Sequence, residues 1–265
     1  MVGLGEAGKN IVKLFKPHTK NYKIIIFDEN DGLNPKDSVE EYDDQEIRLK
    51  HKGLSKHDEA MLFVCGSGKV AGASLRVLEA LKGFKTTIVY IVPDLEFSST
   101  REQKRHRAHF GILQEYTRSG MINDMIILEN KKMFEVAGTG TTLKYFEKVN
   151  FLIYNTIQNI MYCRHVKPDF GRLHERKKIS SISTIGLGKF PEEEKLLFLL
   201  DNITETCYII NIEEEDLDND ESIIPSCQNI VRENKALARN TSFAIWKSSD
   251  ENNYFSIHYT HFIQE

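Results

Sequence analysis

The chain has 265 residues, 40% hydrophobic and 28% charged, an ordinary globular balance with room for one large domain or two modest ones. Its net charge of −4 creates no field that would draw it to nucleic acid or to an anionic membrane, so neither is expected as a partner. No apolar run approaches the ~18 residues of a membrane span, no secretory leader opens the chain, and four scattered cysteines without CxxC spacing point to reduced thiols in a cytoplasm rather than a zinc or redox site.

The first predicted elements stand at the N-terminus. Val2 to Phe15, VGLGEAGKNIVKLF, holds GxGxxG at Gly3, Gly5 and Gly8, followed by a short helix with Ile11, Leu14 and Phe15 on one side. Tyr22 to Phe27 is expected as a buried strand ending in Asp28. An acidic residue about 20 positions after the glycines is the pattern of a dinucleotide-binding βαβ unit. Only Met1 and Val2 precede the first glycine, against the ~5 residues of a normal strand. Either the first strand is very short or the natural start lies upstream.

Asn30 to Lys56 is polar, with Gly32, Pro35 and Gly53, and is expected to be loops with at most a short element. The strand Met61 to Cys65 then runs into a second glycine turn, within VCGSGKVAGASLRVLEAL (Val64 to Leu81). Gly66, Gly68 and Gly72 let the backbone approach a ligand closely. The helix that follows, with Leu75, Val77, Leu78 and Leu81 on its apolar face, presents its free N–H groups and positive dipole end to phosphate. A Walker-type loop is excluded, because Lys69 is followed by Val70 rather than Ser or Thr and the upstream glycine is missing.

Thr86 to Val92 is β-branched and apolar throughout, a strand covered on both faces. Pro93 to Ser99 is a loop, Thr100 to Arg118 a basic helix with a solvated charged face, Asp124 to Leu128 a short strand, and Asn130 opens a connection. Thr142 to Cys163 is predicted as one long helix with Leu143, Phe146, Val149, Ile153, Ile157 and Ile160 at helical spacing; its Lys144, Glu147, Lys148 and Asn150 argue against membrane insertion. The turn His165 to Gly171 ends it. Beyond Lys178 the pattern changes to strands at Ile179 to Leu187, Cys207 to Ile212, Thr241 to Lys247 and Tyr254 to His261, with helices at Glu192 to Leu200 and Ile230 to Leu237 and a solvated acidic loop at Glu213 to Glu221. The fold class is therefore α/β: a Rossmann-like parallel-sheet nucleotide domain (1–141), a long central helix and its turn (142–171), and a smaller α+β C-terminal domain (172–265).

This order of parts resembles the tubulin/FtsZ superfamily over nearly the whole chain. The stretch GLGEAGKN, with Gly3, Gly5, Glu6, Ala7, Gly8, Lys9 and Asn10, is similar to the family's first phosphate loop. CGSGKVAGAS stands where the family has GGGTGTGAAP. Gly66, Gly68 and Gly72 match, Ser67 and Val70 replace glycines, and Lys69 and Ala71 replace threonines, with Lys69 able to supply a charge instead. VPDLEFSSTREQKR resembles the loop that contacts ribose and phosphate, which puts Thr100 and Arg101 among the contacts. Asn150 corresponds to the residue that hydrogen-bonds the guanine edge. Pro168-Asp169-Phe170 resembles the VDF of the synergy loop NVDFADV, which enters the next subunit's nucleotide site; the second carboxylate falls on Arg172 and the turn is shorter. ISTIGLG resembles the strand that opens the C-terminal domain.

The resemblance implies a divergent member that binds GTP or GDP with Mg²⁺ and assembles with itself head-to-tail into filaments; small size and the degraded loops suit a phage or mobile-element relative, or a diverged archaeal or bacterial one. Asp169 is then the catalytic residue, lent by a neighbour, and hydrolysis depends on assembly and is weakened by Arg172 and the altered second loop. Two other readings stand beside it. One is a Rossmann oxidoreductase using Gly3, Gly5, Gly8 and Asp28 for NAD; the other is a scaffold of tubulin fold without nucleotide turnover.

Overall fold

A computed structural model describes residues 1–18, 20–31, 33–36, 38, 40–49, 54–55, 58–138, 144–234, 238–249 and 252–265. Gly32, Gly53, Lys56, Thr142, Leu143 and Leu237, for which elements or turns are expected above, and the expected boundary at 141/142 lie outside the described residues. The chain divides into two compact units, Met1–Tyr154 and Asn155–Glu265.

In the first unit β1 (Val2–Leu4) passes directly into α1 (Gly5–Leu14), and β2 (Ile25–Phe27) follows. Next come β3 (Glu59–Cys65), α2 (Ser74–Ala80), β4 (Lys85–Val92), α3 (Thr100–Arg118), β5 (Asp124–Glu129) and α4 (Asn130–Ala137). The strands lie in the order β2-β1-β3-β4-β5 and every pair is parallel. Leu62, Phe63, Ile88, Val89, Tyr90, Met125 and Ile127 are fully buried, which is why these strands are continuous apolar runs rather than alternating ones.

Connectivity decides where a ligand can sit. The chain leaves β1 towards β2 on one side and leaves β3 towards β4 on the other. The strand order thus reverses between β1 and β3, and in open α/β sheets such a reversal opens a crevice beyond the carboxyl ends of the two strands. β1 is three residues long, paired at Val2 with Ile25 on one flank and Leu62 on the other, so neighbours on both sides hold a strand that is short on its own.

The long helix α5 runs from Tyr145 to His165. Val149, Ile153, Ile157 and Ile160 form its buried stripe as expected, whereas Phe146, in its first turn, is 65% exposed with its ring set edge-on against Tyr145. In the second unit β6 (Phe170–Gly171), β7 (Ile182–Lys189), β8 (Lys195–Leu196), β9 (Glu205–Glu213), α6 (Glu214–Asn219), α7 (Ile223–Asn234), β10 (Asn240–Ser248) and β11 (Asn253–Thr260) follow. The order β7-β11-β9-β10-β6 is antiparallel except for β9 with β10, whose parallel pairing requires the crossover that α6 and α7 supply. Tyr208, Ile210 and Ile212, alternate residues of β9, pack with Ile223, Cys227 and Ile230, one face of α7.

Several local expectations change. The strand expected as buried over Tyr22 to Phe27 is only Ile25–Phe27 and half-buried, and the helix expected from Ile230 begins at Ile223. Glu192 to Leu200 is not helical: Lys195 and Leu196 pair with Leu187 and Gly186, and the Leu197 amide donates to the Ile185 carbonyl. A short apolar run does not distinguish a buried extended segment from a helix. Asn130 opens a helix rather than a connection, closed by Gly138 at φ +74°. The acidic run also contains a helix, α6, whose Glu214, Glu215 and Asp216 occupy the first turn, where the helix dipole favours them.

Candidate functional site

The two glycine turns are the segments that leave β1 and β3 at the strand-order reversal. Leu4 at the end of β1 is paired with Val64 near the end of β3, so both turns start from neighbouring positions. Gly5 has φ +70°, a conformation that side chains disfavour, and a methyl group there would lie 3.3 Å from Val70 Cγ2. Val70 itself is buried. The two turns thus approach to within a methyl group's reach of each other, with Val70 facing Gly5. Gly8 lies against the Phe63 carbonyl so closely that any side chain would overlap it, which seats α1 directly on β3.

Leu4, the residue before α1, offers no side-chain cap to the helix. The first N–H groups of an α-helix have no partner within it and need a side chain, water or ligand. Here they sit at the crevice, with Glu6 and Ala7 in the first turn. Lys9, one turn further, bonds Asp28 at 2.8 Å and Glu6 at 2.6 Å. Those two carboxylates hold its ammonium well above the ordinary lysine range, and Lys9 in turn holds Asp28 below the ordinary carboxylate range despite burial. Asn10 donates to Glu6 at 3.1 Å.

Asp28, at the end of β2, also accepts the Asn30 amide. Its neighbour Glu29 lies 3.6 Å from the exposed Lys69 of the second turn. Successive carboxylates after β2 thus face a lysine from each turn. For a ribose to use Asp28, the Lys9 and Asn30 bonds would have to yield.

The second turn is folded on itself. The Gly68 amide donates to the Cys65 carbonyl and the Ala71 amide to the Gly68 carbonyl, each at 3.0 Å, so Gly66, Ser67 and Gly68 form one tight turn and Gly68 to Ala71 the next. Ala71 and Gly72 are buried in a single helical turn, 71–73, that leads into α2. Gly66 lies so close to the Tyr90 hydroxyl and His106 that no side chain fits. Tyr90 and His106 share a 2.9 Å hydrogen bond, and His109 bonds Ser74 at the start of α2. Burial pushes the His106 imidazole down to about 4, helped by Arg107, and that of His109 to about 3, so both are neutral at pH 7.

Thr100 and Arg101 are exposed at the start of α3, whose N-terminus is already capped. Ser99 accepts the Glu102 amide and Glu102 accepts the Ser99 amide. The basic residue that α3 does bring to the second turn is Arg105, which donates to the Gly68 carbonyl at 3.0 Å. Tyr42, from the segment after β2, reaches the next carbonyl, Lys69, at 3.4 Å. Neither residue follows from a motif: Arg105 is one of several basic residues in KRHR, and a contact with a main-chain oxygen leaves no spacing to read. Asn150, half-buried on α5, lies one turn before Tyr154, whose ring packs edge-on against Phe15 at the end of α1. In the second unit, Asp169 is exposed and tied to β10: its amide donates to the Ile245 carbonyl and its carboxylate accepts the Lys247 amide, both at 2.9 Å. Arg172 is exposed close by in sequence.

Paired glycine turns at a strand-order reversal, the first opening an uncapped helix, define the crevice of an open α/β sheet. No protein-family model and no curated protein sequence matches the chain. Solved structures do match over nearly its whole length. The empty FtsZ dimer of M. jannaschii is 12% identical with a TM-score of 0.65, covering 98% of this chain and 88% of that one. The GTPγS-form protofilament of Bacillus thuringiensis serovar israelensis TubZ is 13% identical with a TM-score of 0.63, covering 99% and 87%. CetZ from Methanosaeta thermophila strain DSM 6194 is 12% identical with a TM-score of 0.61, covering 98% and 86%. The chain has a tubulin/FtsZ-like fold: a mostly parallel α/β nucleotide-type unit, a long helix and a smaller mixed α+β unit. No helix among the described residues is long and apolar enough to cross a membrane.

Proposed function

We propose that this protein binds GTP or GDP at the two glycine turns and assembles with itself head-to-tail. The observation that carries the reading is the close approach of the two turns, Val70 facing Gly5, beyond the ends of β1 and β3. The amides of Gly5, Glu6 and Ala7 face the phosphates from the first turn, where Gly8, its own amide bonded within α1, lets the helix sit close on β3, and those of Ser67, Lys69, Val70 and Gly72 face them from the second. Lys9, Lys69, Asn10, Thr100 and Arg101 border the site, and Asn150 meets the guanine edge.

Mg²⁺ enters with the triphosphate. No group of three His, Cys, Asp or Glu among the described residues could hold a metal, and Asp28 is taken by Lys9. Phosphate oxygens and water are then the principal ligands, as suits an ion that keeps much of its hydration.

Asp169 of a neighbouring copy orients the attacking water. Its carboxylate has an oxygen in a bond to the Lys247 amide, and Arg172 stands where the family has a second carboxylate, so turnover is slow. The TubZ structure is a GTPγS-form protofilament, and a heterologous head-to-tail contact propagates in the same way. We place the protein in the cytoplasm. Nucleotide released from purified protein and identified by chromatography tests the reading: guanine nucleotide is expected, and light scattering that rises with GTP and protein concentration. NAD in the extract would favour the oxidoreductase instead. Scattering without phosphate release would favour a filament that does not turn over, which the engaged Asp169 already favours.

A further inference from the structure

We infer that Arg105 is a positioning residue for the second glycine turn, acting on a bound nucleotide through the Gly68 carbonyl rather than by touching it. The inference rests on the proposed nucleotide site and adds to it a residue that the turn depends on.

The argument is one of peptide geometry. A trans peptide points its C=O and N–H in opposite directions. The carbonyl of Gly68 accepts Arg105 Nη1 and the Ala71 amide, each at 3.0 Å. With that oxygen held from two directions, the other end of the same peptide, the Lys69 N–H, is turned away from α3. The following peptide repeats the arrangement more weakly. The Lys69 carbonyl faces the Tyr42 hydroxyl at 3.4 Å, while that hydroxyl accepts the Lys36 amide at 3.0 Å and lies 3.2 Å from the Asn34 carbonyl. Tyr42 is 1% exposed, and Arg105 is close enough to bias its ionisation, so the two side chains reach the turn from one neighbourhood. Two successive carbonyls are drawn to that side, and the Lys69 and Val70 amides are left facing the other.

Such holding is needed here. Where the family has glycines and threonines, this turn has Ser67, Lys69, Val70 and Ala71. Arg105 Nε is buried and finds no acceptor among the described residues. A charged group is thus kept in place with its Nε unpartnered, and among the described residues the Gly68 carbonyl is its acceptor.

Arg105→Met keeps the length of the side chain and removes its donors; Arg105→Lys keeps a donor and a charge. Both are compared with the parent by amide hydrogen exchange without nucleotide and by titration with a fluorescent GTP analogue at several salt concentrations. In Arg105→Met, exchange of the Gly68 and Ala71 amides, the bonded ones within residues 67–71, is expected to accelerate at least tenfold, with β3 and β4 unchanged. Affinity falls about tenfold, the size of one lost charge-assisted hydrogen bond, and Arg105→Lys recovers part of both. The salt dependence of affinity stays parallel to the parent, because no phosphate contact has been removed. Unaltered exchange at Gly68 and Ala71 overturns the inference, and so does a shallower salt slope, which would mean that Arg105 meets the phosphate directly. Should the parent bind no nucleotide, the function proposed above fails, and the exchange data still decide for or against the carbonyl contact. Tyr42→Phe provides the same readings, at smaller amplitude, if Arg105→Met does not fold.

Discussion

Two helix starts in the first unit make opposite use of the same chemistry. α1 begins at Gly5 after Leu4, which has no side chain able to accept its first amides. α3 begins at Thr100 after Ser99, whose hydroxyl and partner Glu102 form a reciprocal box. Both helices follow parallel strands of one sheet. A helix end that closes on its own side chains has its first amides occupied, and one left open at a strand-order reversal keeps them available to water or a ligand. α3 carries Arg105, His106 and His109, which touch the second turn and the helix it opens.

The largest test of this contrast is acid. Both α3 histidines are neutral in the folded protein, pushed to about 4 and about 3, whereas in the unfolded chain they take a proton near 6.5. The unfolded state binds more protons below that point. Stability is therefore flat above pH 6.5 and falls as pH drops towards 4, by about 1.4 kcal/mol per pH unit for each histidine. Urea unfolding from pH 7.5 to 4.5 should follow that slope, and His109→Gln should halve it, His106 being left; a flat profile in the parent would remove α3 from its role as the neutral support.

Gly8→Ala comes next. The added methyl collides with the Phe63 carbonyl, a main-chain atom, so α1 must lift from β3 at a cost of about 3 kcal/mol. The midpoint of denaturant unfolding measures it, and a stable Gly8→Ala protein would mean that α1 is not seated by this contact. Gly5→Ala is milder. It places a Cβ at φ +70°, at a cost of about 1–2 kcal/mol, and it should weaken guanine nucleotide binding more than it lowers the melting temperature. Ser99→Ala is the smallest and the control for the contrast. Loss of the cap costs about 1 kcal/mol, while nucleotide affinity changes by less than threefold. Equal losses of affinity in Ser99→Ala and Gly5→Ala would erase the distinction between the two helix ends.

Much of the first unit could be read from residues alone, because parallel strands and glycine turns leave local marks. Met61 to Cys65 and Thr86 to Val92 are unbroken apolar runs, and Thr100 to Arg118 is bounded by a capping box and by Gly120 at φ +79°. In the candidate site, only the parts made of main chain leave a mark in the residues. Gly3, Gly5, Gly8, Gly66 and Gly68 announce themselves by what they lack. Arg105 and Tyr42 act on carbonyl oxygens far away in sequence, and nothing in the order of neighbouring residues encodes such a contact. In the second unit the segment 192–200 misleads for a related reason. Lys195 and Leu196 pair with β7 and the Leu197 amide bonds Ile185, a partner chosen by tertiary structure, and a nine-residue window contains no trace of it.

The bonds at Asp169 limit how that position can vary. The residue fastens the chain to the rim of the second unit's sheet by an acceptor oxygen as well as by its own amide. An asparagine keeps an oxygen for Lys247 and forfeits only the negative charge, whereas an alanine surrenders the anchor too. Comparing Asp169→Asn with Asp169→Ala therefore separates whatever depends on the charge from the structural anchor at one codon.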